Sequence, residues 1–241
     1  MQQDKDWRER KMNVFDKPDE QNRACSGSAM ARKGALKRSV FDKPDEQSQA
    51  CLSSAMARKG AMKLNVCVFC SANNNIAAEF FDAARELGRW IGHEGHALVY
   101  GGANLGLMEA VAREAHDAGA MVIGVVPTIL EKTGRASDCI DVNIACDNLN
   151  DRKALMIDRS DLIVALPGGV GTLDEIFTVV AAASIGYHHK RVVLYNIGGF
   201  WDPLLALLDS MRQQGMLRPG FESSLPVANS LDDIKRIASE E

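Results

Sequence analysis

From Asn65 onward, apolar and polar positions fall into two alternating rhythms. Short apolar runs bounded by glycine or polar residues read as strands at 65–70, 97–100, 121–127, 139–145, 162–166 and 191–195. Between them, helical spacing reads as helices over Ile76 to His93, Leu105 to Ala118, Asn150 to Arg159, Thr172 to Ile185 and Pro203 to Gln214. A last helix, Ser230 to Ile237, opens on a Ser-Leu-Asp-Asp cap. Strict alternation of strand and helix predicts an α/β fold: a doubly wound, mostly parallel Rossmann-like sheet with helices on both faces.

The first sixty-odd residues follow neither rhythm. Val14 to Lys37 returns as Val40 to Lys63 with a period of 26, and 19 of the 24 paired positions are identical. Two copies are too few for a solenoid. Each offers a Pro-Asp turn and an alanine-rich stretch with little apolar surface to offset ordering entropy. Residues 1–62 are therefore expected to form a mobile or weakly helical extension, and 63–241 the folded domain.

Charge divides at the same place. Residues 1–63 hold 14 Lys/Arg against 9 Asp/Glu, while the remainder holds 14 against 23. An acidic domain, and a basic tail with interleaved acids and no stacking aromatics, give no support to a nucleic-acid partner. No apolar run reaches the ~18 residues of a membrane span, and the charged start, MQQDKDWRERK, is followed by no signal-like apolar stretch. The six scattered cysteines suit a reducing compartment, so the expectation is a cytoplasmic protein without a membrane partner. Cys67 and Cys70 have CxxC spacing but lie in a strand, where residues three apart face opposite sides. They read as buried thiols rather than a metal site, and His188 and His189, adjacent and hence diverging, are no better as ligands.

Two glycine-rich turns carry the candidate chemistry. The run LIVALPGGVGTLDEIF, Leu162 to Phe177, passes from strand through Gly168, Gly169 and Gly171 to a helix start whose first turn is expected to carry Glu175. Helix N-termini offer unpaired N–H groups and the positive end of a dipole, and glycine lets that backbone approach a phosphate. Val170 and Gly171 precede Thr172 where a Walker A turn needs lysine, which disfavours a nucleoside triphosphatase. Gly101, Gly102 and Gly106 form a second such turn after the strand ending at Tyr100. Both sit at the C-terminal edge of a parallel sheet, where ligands bind. The turn after the first strand has no G-x-G-x-x-G, which argues for a mononucleotide or sugar phosphate over NAD, with Ser71 and Asn73 as donors at the same edge.

Glu175 admits two readings: the end of a Thr172-Leu-Asp-Glu capping box, or a carboxylate held one ribose length from a bound phosphate, near the anomeric carbon. Arg152 and Lys153 are cations at a helix start, where the macrodipole does not favour them. A guanidinium facing phosphate or developing charge would explain them, and so would exposure on a loop. Phe177 to Ile185 is apolar nearly all round and needs cover on more than one face, the expectation being a homodimer or higher homo-oligomer.

Taken together, VCVFCSANN, LVYGGANLGLM, VIGVVP, LNDRKALM, ALPGGVGTLDE and SIGYHHKRVVLYNIGGFWDPLLALLDSMRQQGML resemble the LONELY GUY (LOG) family of cytokinin-activating phosphoribohydrolases, over residues 64 to 237. The resemblance implies hydrolysis of the N-glycosidic bond of a purine nucleoside 5′-monophosphate, plain or N6-prenylated, to free base and ribose 5-phosphate without metal or cofactor. It implies Arg152 and Glu175 as the catalytic pair. Gly101, Gly102, Gly168, Gly169, Gly171 and Thr172 would hold phosphate and ribose, with Gly106 and Lys153 beside them and Ser71 and Asn73 lining the first turn. It also implies a homodimer. The alternative is a non-catalytic carrier of nucleotide or of a phosphorylated pterin such as molybdenum cofactor, since similar folds serve as carriers. A lysine decarboxylase, a label such proteins have carried, has no lysine here in a recognisable Schiff-base context.

Overall fold

Val66 and Val68 point to one side of the first strand and Cys67 and Phe69 to the other, and all four are fully buried. A strand apolar on both faces needs a layer on each, and the computed structural model, which describes residues 64–240, supplies both. The strands are β1 Asn65–Phe69, β2 Ala97–Tyr100, β3 Met121–Pro127, β4 Val142–Cys146, β5 Leu162–Ala165, β6 Val192–Tyr195 and β7 Val227–Ala228. The helices are α1 Ala78–His93, α2 Gly106–Asp117, α3 Thr128–Lys132, α4 Leu149–Asp158, α5 Val170–Ser184, α6 Asp202–Gln213 and α7 Leu231–Ala238.

Among the described residues the strands form one sheet in the order β4-β3-β2-β1-β5-β6-β7, every pairing parallel. The chain runs outward from β1 to β4, then returns to place β5 on the other side of β1. That reversal opens a crevice beyond the C-terminal ends of β1 and β5. Helices α1, α2 and α7 cover one face, and α4, α5 and α6 cover the other. Cys67 in β1 and Cys70 just after it belong to opposite layers and are free thiols. Trp201 is buried beneath α6, its indole N–H donating to the carbonyl of Ala165 at 3.3 Å.

The element order matches the sequence reading, with local differences. The fourth strand starts at Val142, three residues later than expected, because Asp141 caps its start: the Asp141 amide donates to Val122 and the Val122 amide to the Asp141 carboxylate. The short α3 and β7 were not expected, being too brief for a periodic signal. No described helix is long and apolar enough to cross a membrane. The expected mobile extension, residues 1–62, lies outside the described residues.

Candidate active site

Three turns meet at the crevice, held together by backbone. The Ser71 amide donates to the Pro167 carbonyl at 3.2 Å, the Leu107 amide to the Ser71 carbonyl at 2.9 Å, and the Gly106 amide to the Asn74 side chain at 2.8 Å. Within the first turn the Ser71 hydroxyl accepts from the Asn73 amide at 3.0 Å, and the Asn73 carboxamide from the Asn75 amide at 2.9 Å. Ser71 and Asn73 thus shape the turn, and Asn73 stays exposed at the edge.

These contacts change the reading of the second glycine turn. The first amides of α2, expected to face a phosphate, are taken by Ser71 and Asn74, and Gly101, Gly102 and Gly106 are all buried. Each glycine makes room for protein. A β-carbon at Gly106, whose φ is +60°, would sit 2.5 to 2.7 Å from the backbone of residues 71–73, and one at Gly102 would meet Val126. One at Gly101 would fall on the Arg152 guanidinium.

The turn after β5 is different. Helix α5 starts at Val170 with Gly169 as its N-cap, two residues earlier than expected, and no described side chain caps it. Thr172 is therefore the third helical residue and Glu175 lies in the second turn, so Thr172 and Glu175 do not form the capping box considered above. Gly169, Val170 and Gly171 are exposed, and a β-carbon at Gly169 or Gly171 would meet no atom of the described residues within 4 Å. Gly168 is packed against the buried Thr172 side chain. Uncapped amides at an open helix start are what an anion requires.

Arg152 reaches this place from α4. Asn148 caps that helix, accepting from the Asn150 and Asp151 amides at 2.9 Å each, and Asp151 in the first turn offsets the cation that follows. Arg152 is thus a helical residue rather than a loop residue. Its Nε donates to the Val125 carbonyl at 3.2 Å and its Nη2 to the Gly101 carbonyl at 2.9 Å, while Nη1 lies 3.4 Å from Glu175 Oε1. Both side chains are nearly closed off, 11% and 7% exposed. Burial pushes the Glu175 carboxyl up to about 7, and the long contact to Arg152 only partly opposes it; Asp174 raises it further and Lys153 lowers it. Lys153 donates to both oxygens of Asp174, at 2.9 and 2.7 Å.

The structure brings Arg152, Glu175, Gly101 and the Gly168 to Thr172 turn to one rim. Val125, Asn74, Asn148 and Asp174 escaped the sequence reading. Asn148 alone had a signal, as a cap before LNDRK, whereas the Val125 carbonyl and the Asn74 contact depend on which turns the sheet order makes neighbours. Among the described residues no group of three His, Cys, Asp or Glu is placed to hold a metal.

A family model described as "Possible lysine decarboxylase" matches residues 108–237. The probable cytokinin riboside 5′-monophosphate phosphoribohydrolase LOGL2 of Oryza sativa subsp. japonica is 40% identical over 163 residues, covering 68% of this chain and 67% of that protein. The cytokinin riboside 5′-monophosphate phosphoribohydrolase LOG3 of Arabidopsis thaliana is 36% identical over 169 residues, covering 69% of this chain and 79% of the relative. The chain belongs to the LOG family. Its fold is shared with the molybdenum cofactor carrier protein of Chlamydomonas reinhardtii, at TM-score 0.57 and 24% identity over 74% of this chain and 97% of the other. As a LOG-family chain it presents the arginine and glutamate of its RK and PGGxGTxxE segments as one buried pair.

Proposed function

We propose that this LOG-family protein hydrolyses the N-glycosidic bond of purine nucleoside 5′-monophosphates, including N6-prenylated adenine nucleotides, to free base and ribose 5-phosphate. The observation that carries the reading is the buried Arg152–Glu175 pair on the same rim as the uncapped α5 start. The names of the relatives, which act on cytokinin riboside 5′-monophosphates, agree with it.

In this reading the amides of Val170, Gly171 and Thr172 hold the phosphate. Glu175 lies five residues beyond Val170, about 7.5 Å along the axis at the helical rise, which is of the order of a ribose. As the bond from C1′ to the base nitrogen breaks, its electron pair leaves with the base, and positive charge grows on the sugar. The Glu175 carboxylate stabilises that charge and takes a proton from the water whose oxygen bonds to C1′. The departing base picks up a proton, so water is added across the bond. Arg152, with three of its five donors already on Val125, Gly101 and Glu175, fixes the carboxylate and presents the others to substrate.

A carrier would need the open turn but not a buried ion pair beside it. Incubation with a panel of 5′-monophosphates, with and without N6-prenyl groups, tests the reading: free base is expected from at least one. Retention of nucleotide with no free base from any would favour a carrier.

Two coarser features go with the proposal. Phe177, Ala181 and Ile185 lie exposed along one stripe of α5, with Tyr187 beyond, which supports a homodimer packed on that stripe. Light scattering should give twice the chain mass. The free thiols of Cys67, Cys70, Cys139 and Cys146 fit a cytoplasmic setting, which a cell-fractionation blot would check.

A further inference from the structure

We infer that Lys153 and Asp174 are positioning residues for the neighbouring Arg152–Glu175 pair, holding α4 and α5 in the one mutual orientation that sets the Glu175 carboxylate. The inference rests on the proposed role of Glu175.

Lys153 follows Arg152 on α4, and Asp174 precedes Glu175 on α5. The same two helices are therefore bridged twice, by adjacent residues. The outer bridge is the tight one, Nζ to the two Asp174 oxygens at 2.9 and 2.7 Å, while the inner contact is 3.4 Å. It is also lopsided: the Lys153 side chain is 12% exposed and that of Asp174 55%. An ammonium drawn that far between two helices needs its partner, so the pair is more than a loose surface contact. One bridge would let a helix roll about the contact; two adjacent bridges prevent it. Rolling of α5 would move Glu175 relative to Arg152, whose guanidinium is fixed by Val125 and Gly101.

The arrangement also separates positioning from direct phosphate binding. The charged and titratable groups around Glu175 are Arg152 and Lys153 from α4, Asp174 on its own helix, and the Cys67 and Cys70 thiols from β1 and its turn. Lys153 and Asp174 act on the carboxylate in opposite senses and offset each other while paired. Removing either leaves the other uncompensated.

The test is the ionisation of Glu175, read by carbon NMR of the carboxyl in the full chain without substrate, together with kcat and KM across pH. Lys153→Met is expected to move the Glu175 titration to higher pH and Asp174→Asn to lower pH. Each should reduce kcat about tenfold or more with KM within about threefold, and Lys153→Arg should restore most of the rate. A rise in KM alone would make Lys153 a phosphate ligand and overturn the inference. So would a fall in thermal stability with the titration unmoved in both variants. Should the wild-type protein release no base from any nucleotide, the proposed function fails, while the opposed titration shifts still test the coupling of the two bridges.

Discussion

The guanidinium of Arg152 occupies the space where a side chain on Gly101 would begin, and its Nη2 donates to the Gly101 carbonyl at 2.9 Å. A glycine in the turn after β2, which from sequence looks like a phosphate contact, also leaves room for an arginine from α4. Gly101→Ala should displace the guanidinium and lower kcat/KM about 10²–10³-fold, as loss of an oriented electrostatic group does. Overpacking should cost about 1–3 kcal/mol of stability, measurable by urea denaturation.

Gly171→Ala should behave in the opposite way. No described residue crowds that position, and alanine in a helix is favoured over glycine by about 0.5–1 kcal/mol. Stability should hold or rise while nucleotide affinity falls, because in the proposed binding mode the added methyl stands where the backbone would meet the phosphate. Calorimetric titration with AMP beside a thermal melt separates the two effects.

Glu175→Gln keeps an acceptor for Arg152 but cannot take a proton. Nucleotide affinity should stay within a few-fold of wild type, with turnover lower by about 10²–10⁴-fold. Full activity in this variant would remove Glu175 from the chemistry.

The same carboxyl gives a dependence on pH. Burial holds it at about 7, so kcat/KM should rise through pH 7 as the working carboxylate forms. For stability the sign is reversed. A folded value above the unfolded one means that the protonated form is favoured by the fold; the contribution is present below pH ~4.5 and lost as pH rises through about 7. Relative to Glu175→Gln, the wild type should lose about 3 kcal/mol between pH 4 and pH 8, seen as diverging urea midpoints.

Lys190 offers a purely structural control. Its ammonium donates to the carbonyls of Ile157, Asp158 and Ser160, at 2.5, 3.3 and 2.6 Å, at the C-terminal end of α4. Lys190→Met should destabilise the protein by about 1–3 kcal/mol, with activity of the folded fraction largely kept.

The order of strands and helices was legible because each βαβ step carries its own period and its own punctuation. Glu175 and Arg152 could be named from their segments. What sequence could not supply was which carbonyls they would meet. Val125 and Gly101 become neighbours of Arg152 only when β2 and β3 pair side by side and α4 crosses below them. Likewise, two glycine turns of similar wording came to differ: the turn after β2 is closed by Ser71 and Asn74, whereas among the described residues nothing comparable covers the α5 start. Thr172 looked like a cap because its hydroxyl and Glu175 have capping spacing. The helix begins earlier, at Val170, with Gly169 as its N-cap, a position that glycine tolerates.

Trp201 adds a practical consequence. Its indole N–H is tied to Ala165, the last residue of β5 and three residues before Gly168, so the ring lies just behind the open glycine turn. Trp90, the other described tryptophan, stacks edge-on against His96, which precedes β2 at the opposite end of the sheet. Replacing Trp90 and Trp7 with phenylalanine would leave a single tryptophan beside the cleft, an optical gauge whose intensity should follow the proposed nucleotide binding in real time without any label.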